Sequence, residues 1–225
     1  MIQFPSSTFV GKNVPKAAFY KHMEINAKLK ARFVEGIERI VWWVKLSPST
    51  LNAEDGESVH EITVFLVSLK SKDMPDDVFA AIDRQMPRHT VFVLVSGQRY
   101  RLLLNYKEWA DPRKGTFRII QSFRTEWTDD ESLRLTIKGS NMDKVYESFA
   151  GQVSGFGTDN DADTKRVITL QQQLTQKQQA VEVLQKKTRS EKQFNRQLQL
   201  NAEARTLKKE LAALQEEIDR ITNRQ

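Results

Sequence analysis

The chain has 225 residues, of which 39% are hydrophobic and 28% charged, with a net charge of +6 and no cysteine. This length suits one ordinary domain plus an extension. The apolar content excludes general disorder, and the missing cysteines exclude disulfides and thiolate metal sites. The opening Met1-Ile2-Gln3-Phe4-Pro5 lacks the basic and apolar regions of a signal peptide. No apolar run approaches the about 18 residues of a membrane span, so a soluble, cytoplasmic protein is expected.

Aromatic residues and charge are both unevenly spread. After residue 150 the only aromatic side chains are Phe156 and Phe194, which puts the core in the first two-thirds of the chain. Thr164 to Gln225 holds 13 Lys/Arg against 7 Asp/Glu, while the first 163 residues hold 22 of each. The excess positive charge therefore belongs to the tail. Such a basic helix suits nucleic acid or an acidic protein surface, and more simply a soluble, lysine-rich coiled coil.

The first residues, through Val14-Pro15-Lys16, suggest an irregular arm, with Pro15 opening a short helix through Phe19, Tyr20 and Met23. Leu29, Phe33, Ile37, Ile40 and Val44 recur at spacings of three and four, which predicts one helix ended by Ser47-Pro48. The adjacent Trp42 and Trp43 cannot share its buried face, so one must reach a second layer or the surface. Residues 51–58 suggest a polar loop.

Val59 to Leu69 predicts a strand with both faces apolar, hence central. Met74-Pro75-Asp76-Asp77 starts a helix that packs through Val78, Phe79, Ile82 and Met86. Thr90–Val95 and Arg99–Tyr106 predict a hairpin turned at Ser96-Gly97-Gln98. Asp111–Gly115 turns the chain into a last strand, Thr116–Trp127. Asn141 to Phe149 predicts a short helix that buries Met142, Val145, Tyr146 and Phe149.

The expected fold is α+β, a mixed sheet with packed helices over residues 1–150. The Gly, Ser and Asp content of 151–163 predicts a flexible linker. No Gly or Pro follows Gly157, so 164–225 is expected to form a basic, helical, coiled-coil tail. Its apolar residues form two stripes: Val167, Leu170, Leu174, Val181 and Leu184, with Lys177 at one core position, then Leu200, Ala204, Leu207, Leu211, Leu214, Ile218 and Ile221. The stripes are out of phase by two residues and are separated by Gln185–Lys192, which has no apolar side chain. One long helix that changes its packing face and an antiparallel helical hairpin with its tip near 187–192 both fit.

No catalytic constellation emerges. His60, Glu61 and Lys70 bracket the central strand, but the Glu-x-Lys pair of restriction-type nucleases is missing from Val67-Ser68-Leu69-Lys70. Asp76/Asp77 and Asp129/Asp130 occupy turn or helix-start positions. His22, His60 and His89 lack metal-ligand spacing. Phosphate-binding glycine loops and a serine nucleophile elbow are absent from the sequence, and nothing calls for a cofactor or a metal. Arg99, Tyr100, Arg101, Tyr106, Lys107, Trp109, Arg113, Lys114, Arg118, Arg124 and Trp127 mix basic and aromatic side chains in the meander, a pattern that suits single-stranded nucleic acid or an ordinary half-exposed sheet.

Several segments together resemble the bacterial family of domain of unknown function 4391. They are Glu191-Lys192-Gln193-Phe194-Asn195-Arg196-Gln197-Leu198-Gln199-Leu200-Asn201, Val14-Pro15-Lys16 with Tyr20, Phe33 with Ile37-Glu38-Arg39-Ile40 through Trp43 and Ser47-Pro48, and Glu61-Ile62 through Leu69-Lys70. The resemblance covers almost the whole chain, and the family pattern departs at Leu66, where it carries an acidic residue. Members tend to be encoded beside helicase-like and DNA-methyltransferase genes in restriction or phage-defence loci. The resemblance thus implies an accessory subunit that binds a helicase-like protein or a DNA methyltransferase, and it supplies no catalytic residues.

Within the familiar run, Phe194, Asn195 and Leu198 are the candidate partner-binding residues. Lys186, Lys187, Arg189, Lys192 and Arg196 are the candidate nucleic-acid-binding residues. Three functions are expected in order: a non-enzymatic adaptor, a direct DNA- or RNA-binding module using the tail, and a degenerate nuclease. A homodimer through the helical stripes is also allowed.

Overall fold

A computed structural model describes residues 2–20, 26–72, 74–156 and 161–222; His22 and Met23 lie outside the described residues. The chain forms two compact units, Met1–Gly157 and Thr158–Gln225. In chain order the first unit contains β1 (Phe9–Asn13), α1 (Lys16–Tyr20), α2 (Ala27–Gly36), β2 (Ile37–Leu46), α3 (Pro48–Leu51), β3 (Ile62–Leu69), α4 (Asp77–Gln85), β4 (His89–Ser96), β5 (Arg99–Asp111), β6 (Thr116–Arg124) and α5 (Met142–Ser154). The six strands form one sheet in sequence order. Only β3 and β4 run parallel, joined by α4; all other neighbours are antiparallel. The expected α+β class with a mixed sheet is the observed one.

The parallel pair needs a crossover helix, and its strands are buried on both faces. On one face Phe65, Val67, Leu69, Phe92, Leu94 and Leu103 pack with Phe19, Phe33 and the α4 residues Val78, Phe79 and Ile82. On the other, α5 buries Met142, Val145, Tyr146 and Phe149, and Tyr146 stacks on Tyr106 at 5.5 Å. Asn141 caps α5 by accepting the Lys144 amide.

Three local expectations are corrected. Residues 37–46 form strand β2, not the second half of a helix. Register irregularities lie between Ile37 and Arg39 and between Trp42 and Val44. Each inserts an extra residue, so the buried positions Ile37, Ile40, Val44 and Leu46 fall at nearly helical intervals although the backbone is extended. Ile37 and Ile40 stand opposite Leu69 and Val67, whereas Val44 and Leu46 stand opposite Val64 and Ile62, on the other face. Ser47-Pro48 then opens α3, with Ser47 and Thr50 forming a capping box.

The N-terminal arm is likewise not irregular, because Phe9–Asn13 adds edge strand β1 to β2. Both ends of the flexible linker expected over 151–163 are helical. α5 runs through Ser154 and ends on Gly155 in the left-handed conformation, while the next helix begins at Asp161. Gly151 is a buried residue of α5.

A buried polar group holds α4 on the sheet. Lys107 of β5 donates from Nζ to the Asp83 carboxylate (2.7 Å), the Asp83 carbonyl (3.0 Å) and the Met86 carbonyl (3.2 Å). Asn105 donates to the other Asp83 oxygen, and Ser122 donates to Asn105. Burial pushes the Asp83 carboxyl up and the Lys107 ammonium down, each opposed by its partner. Nearby His89 lies edge-on to Tyr146 and Phe117, and burial lowers its pKa to about 3.

Lys107→Met should destabilise the first unit by about 3–5 kcal/mol, because it strands a buried carboxylate. The double change with Asp83→Leu should recover most of that loss in urea unfolding. His89 is held neutral, so its contribution is fully present above the ordinary histidine pKa and is lost as pH falls from about 6.5 towards about 3. Wild type should lose up to about 1.4 kcal/mol per pH unit more than His89→Gln across that window. Equal slopes would remove this assignment. The comparison separates the imidazole from Asp83, whose raised carboxyl acts in the opposite direction.

Candidate functional site

The second unit is an antiparallel hairpin of α6 (Asp161–Ser190) and α7 (Phe194–Thr222). This decides between the two arrangements of the tail: the stripes cover one another because the chain reverses between them. Val167, Leu170, Leu174 and Val181 of α6 are buried, as are Leu200, Ala204, Ile218 and Ile221 of α7. Ion pairs from Arg166 to Glu217 (2.5 Å) and from Lys177 to Glu210 join the two helices. Lys177, the polar residue in the first stripe, is thereby accommodated at the edge of the seam.

The turn is built from the run that carries the family resemblance. The Glu191 amide closes the last turn of α6 on the Lys187 carbonyl. Its carboxylate accepts the amides of Lys192 and Gln193 at 2.8 and 3.0 Å, and its carbonyl accepts Gln197 Nε2 at 2.6 Å. One residue thus ties together the end of α6, the two turn residues and the first turn of α7.

The candidate binding residues surround this turn. Phe194 and Leu198 lie one helical turn apart and are 70% and 52% exposed. Arg196 and the buried Leu200 belong to another side of α7. With Leu184, Lys187, Lys192 and Glu203 they line an open groove of about 610 Å³. Lys186, Arg189 and Asn195 are exposed, and Arg196 also bonds to Gln199. The tip therefore brings all eight candidate residues together, with the apolar pair apart from the basic groove.

The residues weighed for catalysis are occupied elsewhere. Glu61 sits between Lys45 and Arg88, at 2.9 Å from each. Lys70 and Lys16 both reach the Val34 carbonyl at the C-terminal end of α2, where cations are favoured. Glu61 and Lys70 lie at opposite ends of β3, about 30 Å apart along an extended strand, so they cannot share a reacting atom. Asp76 binds Arg124, Asp77 binds Arg32, and His60 contacts Asp55. Among the described residues no group of three or more His, Asp or Glu is arranged to hold a metal ion, and no helix is long and apolar enough to cross a membrane.

The basic and aromatic meander does not form an open stacking platform. Tyr106 and Lys107 are buried, Trp109 stacks on Phe117 at 3.9 Å, and Trp127 lies under Arg101 at 4.7 Å. As a pair, Asp83 and Lys107 escape the sequence analysis, where the one signal is a lysine directly after the mostly apolar run Leu102–Tyr106 of β5.

The family model for the domain of unknown function DUF4391 matches residues 2–211. The chain belongs to the DUF4391 family. No curated protein and no solved structure matches it. The DUF4391 match runs through the first unit, the tip and much of α7, so the hairpin belongs to the family's shared domain.

Structure and exposure separate at the tip. Glu191→Ala should cost about 1 kcal/mol locally, seen as faster amide exchange at residues 188–197. Phe194→Ala should change stability by less than about 0.5 kcal/mol. A large loss from Phe194→Ala would mean that the ring packs somewhere it does not in this structure.

Proposed function

We propose that the chain is a non-enzymatic adaptor whose hairpin tip docks a protein partner. The observation that carries this reading is Phe194, a large aromatic 70% exposed next to Leu198 on a turn that Glu191 and Gln197 hold in place. An aromatic anchor on a pre-ordered element loses little freedom on binding and can fill a pocket on a partner. Lys186, Lys187, Arg189, Lys192 and Arg196, elsewhere on the same tip, favour a partner with an acidic patch beside that pocket. The family's gene surroundings supply the partner class, a helicase-like protein or a DNA methyltransferase of a restriction or phage-defence system.

A second reading, direct DNA or RNA binding, draws on the same five cations, three of which line the groove. It requires affinity that falls steeply with salt and that depends on Lys187, Lys192 and Arg196 more than on Phe194.

Affinity capture of the tagged chain from its native host, with and without nuclease, distinguishes the two. The adaptor reading expects a helicase-like or methyltransferase partner that survives nuclease. Phe194→Ala should weaken its capture about thirtyfold or more, the scale of a hot-spot residue. Partners that vanish with the nucleic acid, and that Phe194→Ala leaves untouched, would transfer the assignment to direct nucleic-acid binding. Intrinsic cleavage or modification of DNA by the isolated chain would overturn the non-enzymatic claim.

A further inference from the structure

A second basic cluster lies in the first unit and does not depend on the hairpin. Arg101 of β5 stands opposite Leu94, and Arg124 of β6 stands opposite Leu103. Leu94 and Leu103 both belong to the core beneath α4, so the two arginines share that face of the sheet as diagonal neighbours. Arg124 bonds to Asp76, the residue that precedes α4, at 2.6 Å.

Arg101 is poorly satisfied. Its side chain is only 12% exposed, and its buried Nε meets no acceptor among the described residues. Its nearest carboxylate is Glu126, 3.8 Å from Nη2 and itself wholly exposed. The guanidinium plane rests on Trp127 at 4.7 Å, which fixes its direction without using its N–H donors. Burial, and after it the positive charge of Arg124, depress its pKa against the opposing pull of Glu126 and Asp76. A buried guanidinium N–H without an acceptor is costly, and a second cation beside it adds to that cost. An anion that accepts from both would relieve the two together.

We propose that Arg101 and Arg124, beside Trp127, form a binding site for a phosphate group. Phosphate suits the site better than carboxylate because its tetrahedral oxygens can accept from two guanidinium forks at once. Arg124, with a side chain 55% exposed, gives the ligand its route from solvent. The group can be carried by a free phosphate, a nucleotide or a nucleic-acid strand, and these share the same recognition chemistry.

The test is calorimetric titration of the full chain with inorganic phosphate, a nucleoside 5′-monophosphate and a single-stranded oligothymidylate, with acetate as the carboxylate control. At least one phosphate-bearing probe should bind more tightly than acetate. Arg101→Gln and Arg124→Gln should each weaken that binding about ten- to a hundredfold, the loss expected for a charge-assisted contact. If inorganic phosphate and the nucleotide bind alike, the phosphate group alone is recognised. If the oligothymidylate binds far more tightly and its affinity falls with salt, the ligand is a nucleic-acid strand. Should Arg101→Gln fail to fold, Arg124→Gln decides, since that side chain is largely in solvent. No binding by any phosphate-bearing probe, or binding that survives the arginine changes, would overturn the site.

Discussion

The ammonium of Lys107 fixes the geometry on which the first unit depends. Its three donors are taken by one carboxylate oxygen and two carbonyls at the C-terminal end of α4. A buried ammonium is tolerable only when every proton is accepted and a carboxylate balances the charge. Here both conditions tie one helix to one strand. The parallel β3/β4 pair requires α4 as its crossover, and Lys107 anchors where that helix ends. With that end fixed, the other end brings Asp76 and Asp77 to Arg124 and Arg32. The basic pair beside Trp127 is thus a consequence of how α4 is held.

The hairpin shows a comparable division between residues that build and residues left over. In the run that carries the family resemblance, Glu191 and Gln197 build the turn. Val14 and Lys16, from another such segment, pin the arm: the Val14 amide bonds to the Ile40 carbonyl, and Lys16 reaches the carbonyls that end α2. These contacts explain much of the familiar pattern as architecture. Phe194 and Leu198 have no comparable structural task, and for that reason their exposure carries the functional argument.

Much of this was legible in the sequence. Strand β3, helix α4, the β4–β5 hairpin and the buried face of α5 follow from apolar periodicity and from turn residues, and the structure agrees. β2 was misread because two bulges gave an extended segment the spacing of a helix. Its composition, rich in Ile, Val and Trp, was the contrary signal. β1 left no trace because four of its five residues are exposed, so no alternation marks it. The two stripes of the tail gave the helices, but the reversal depended on hydrogen bonds around Glu191 that periodicity does not encode. Phe194, Asn195, Arg196 and Leu198 stand out through the familiar run and Lys186, Lys187 and Arg189 through the basic tail, whereas Arg101 and Arg124 are visible only as members of a mixed basic and aromatic strand pair. Their common face and the unpaired Nε of Arg101 are tertiary facts.

The most direct test of the adaptor account is a photo-crosslinking amino acid placed at position 194 of the full chain and irradiated in the native host. The account predicts a covalent adduct to a helicase-like or methyltransferase protein, formed through the exposed face of the tip and undiminished by nuclease. An adduct to nucleic acid, or only to this chain itself, would contradict it.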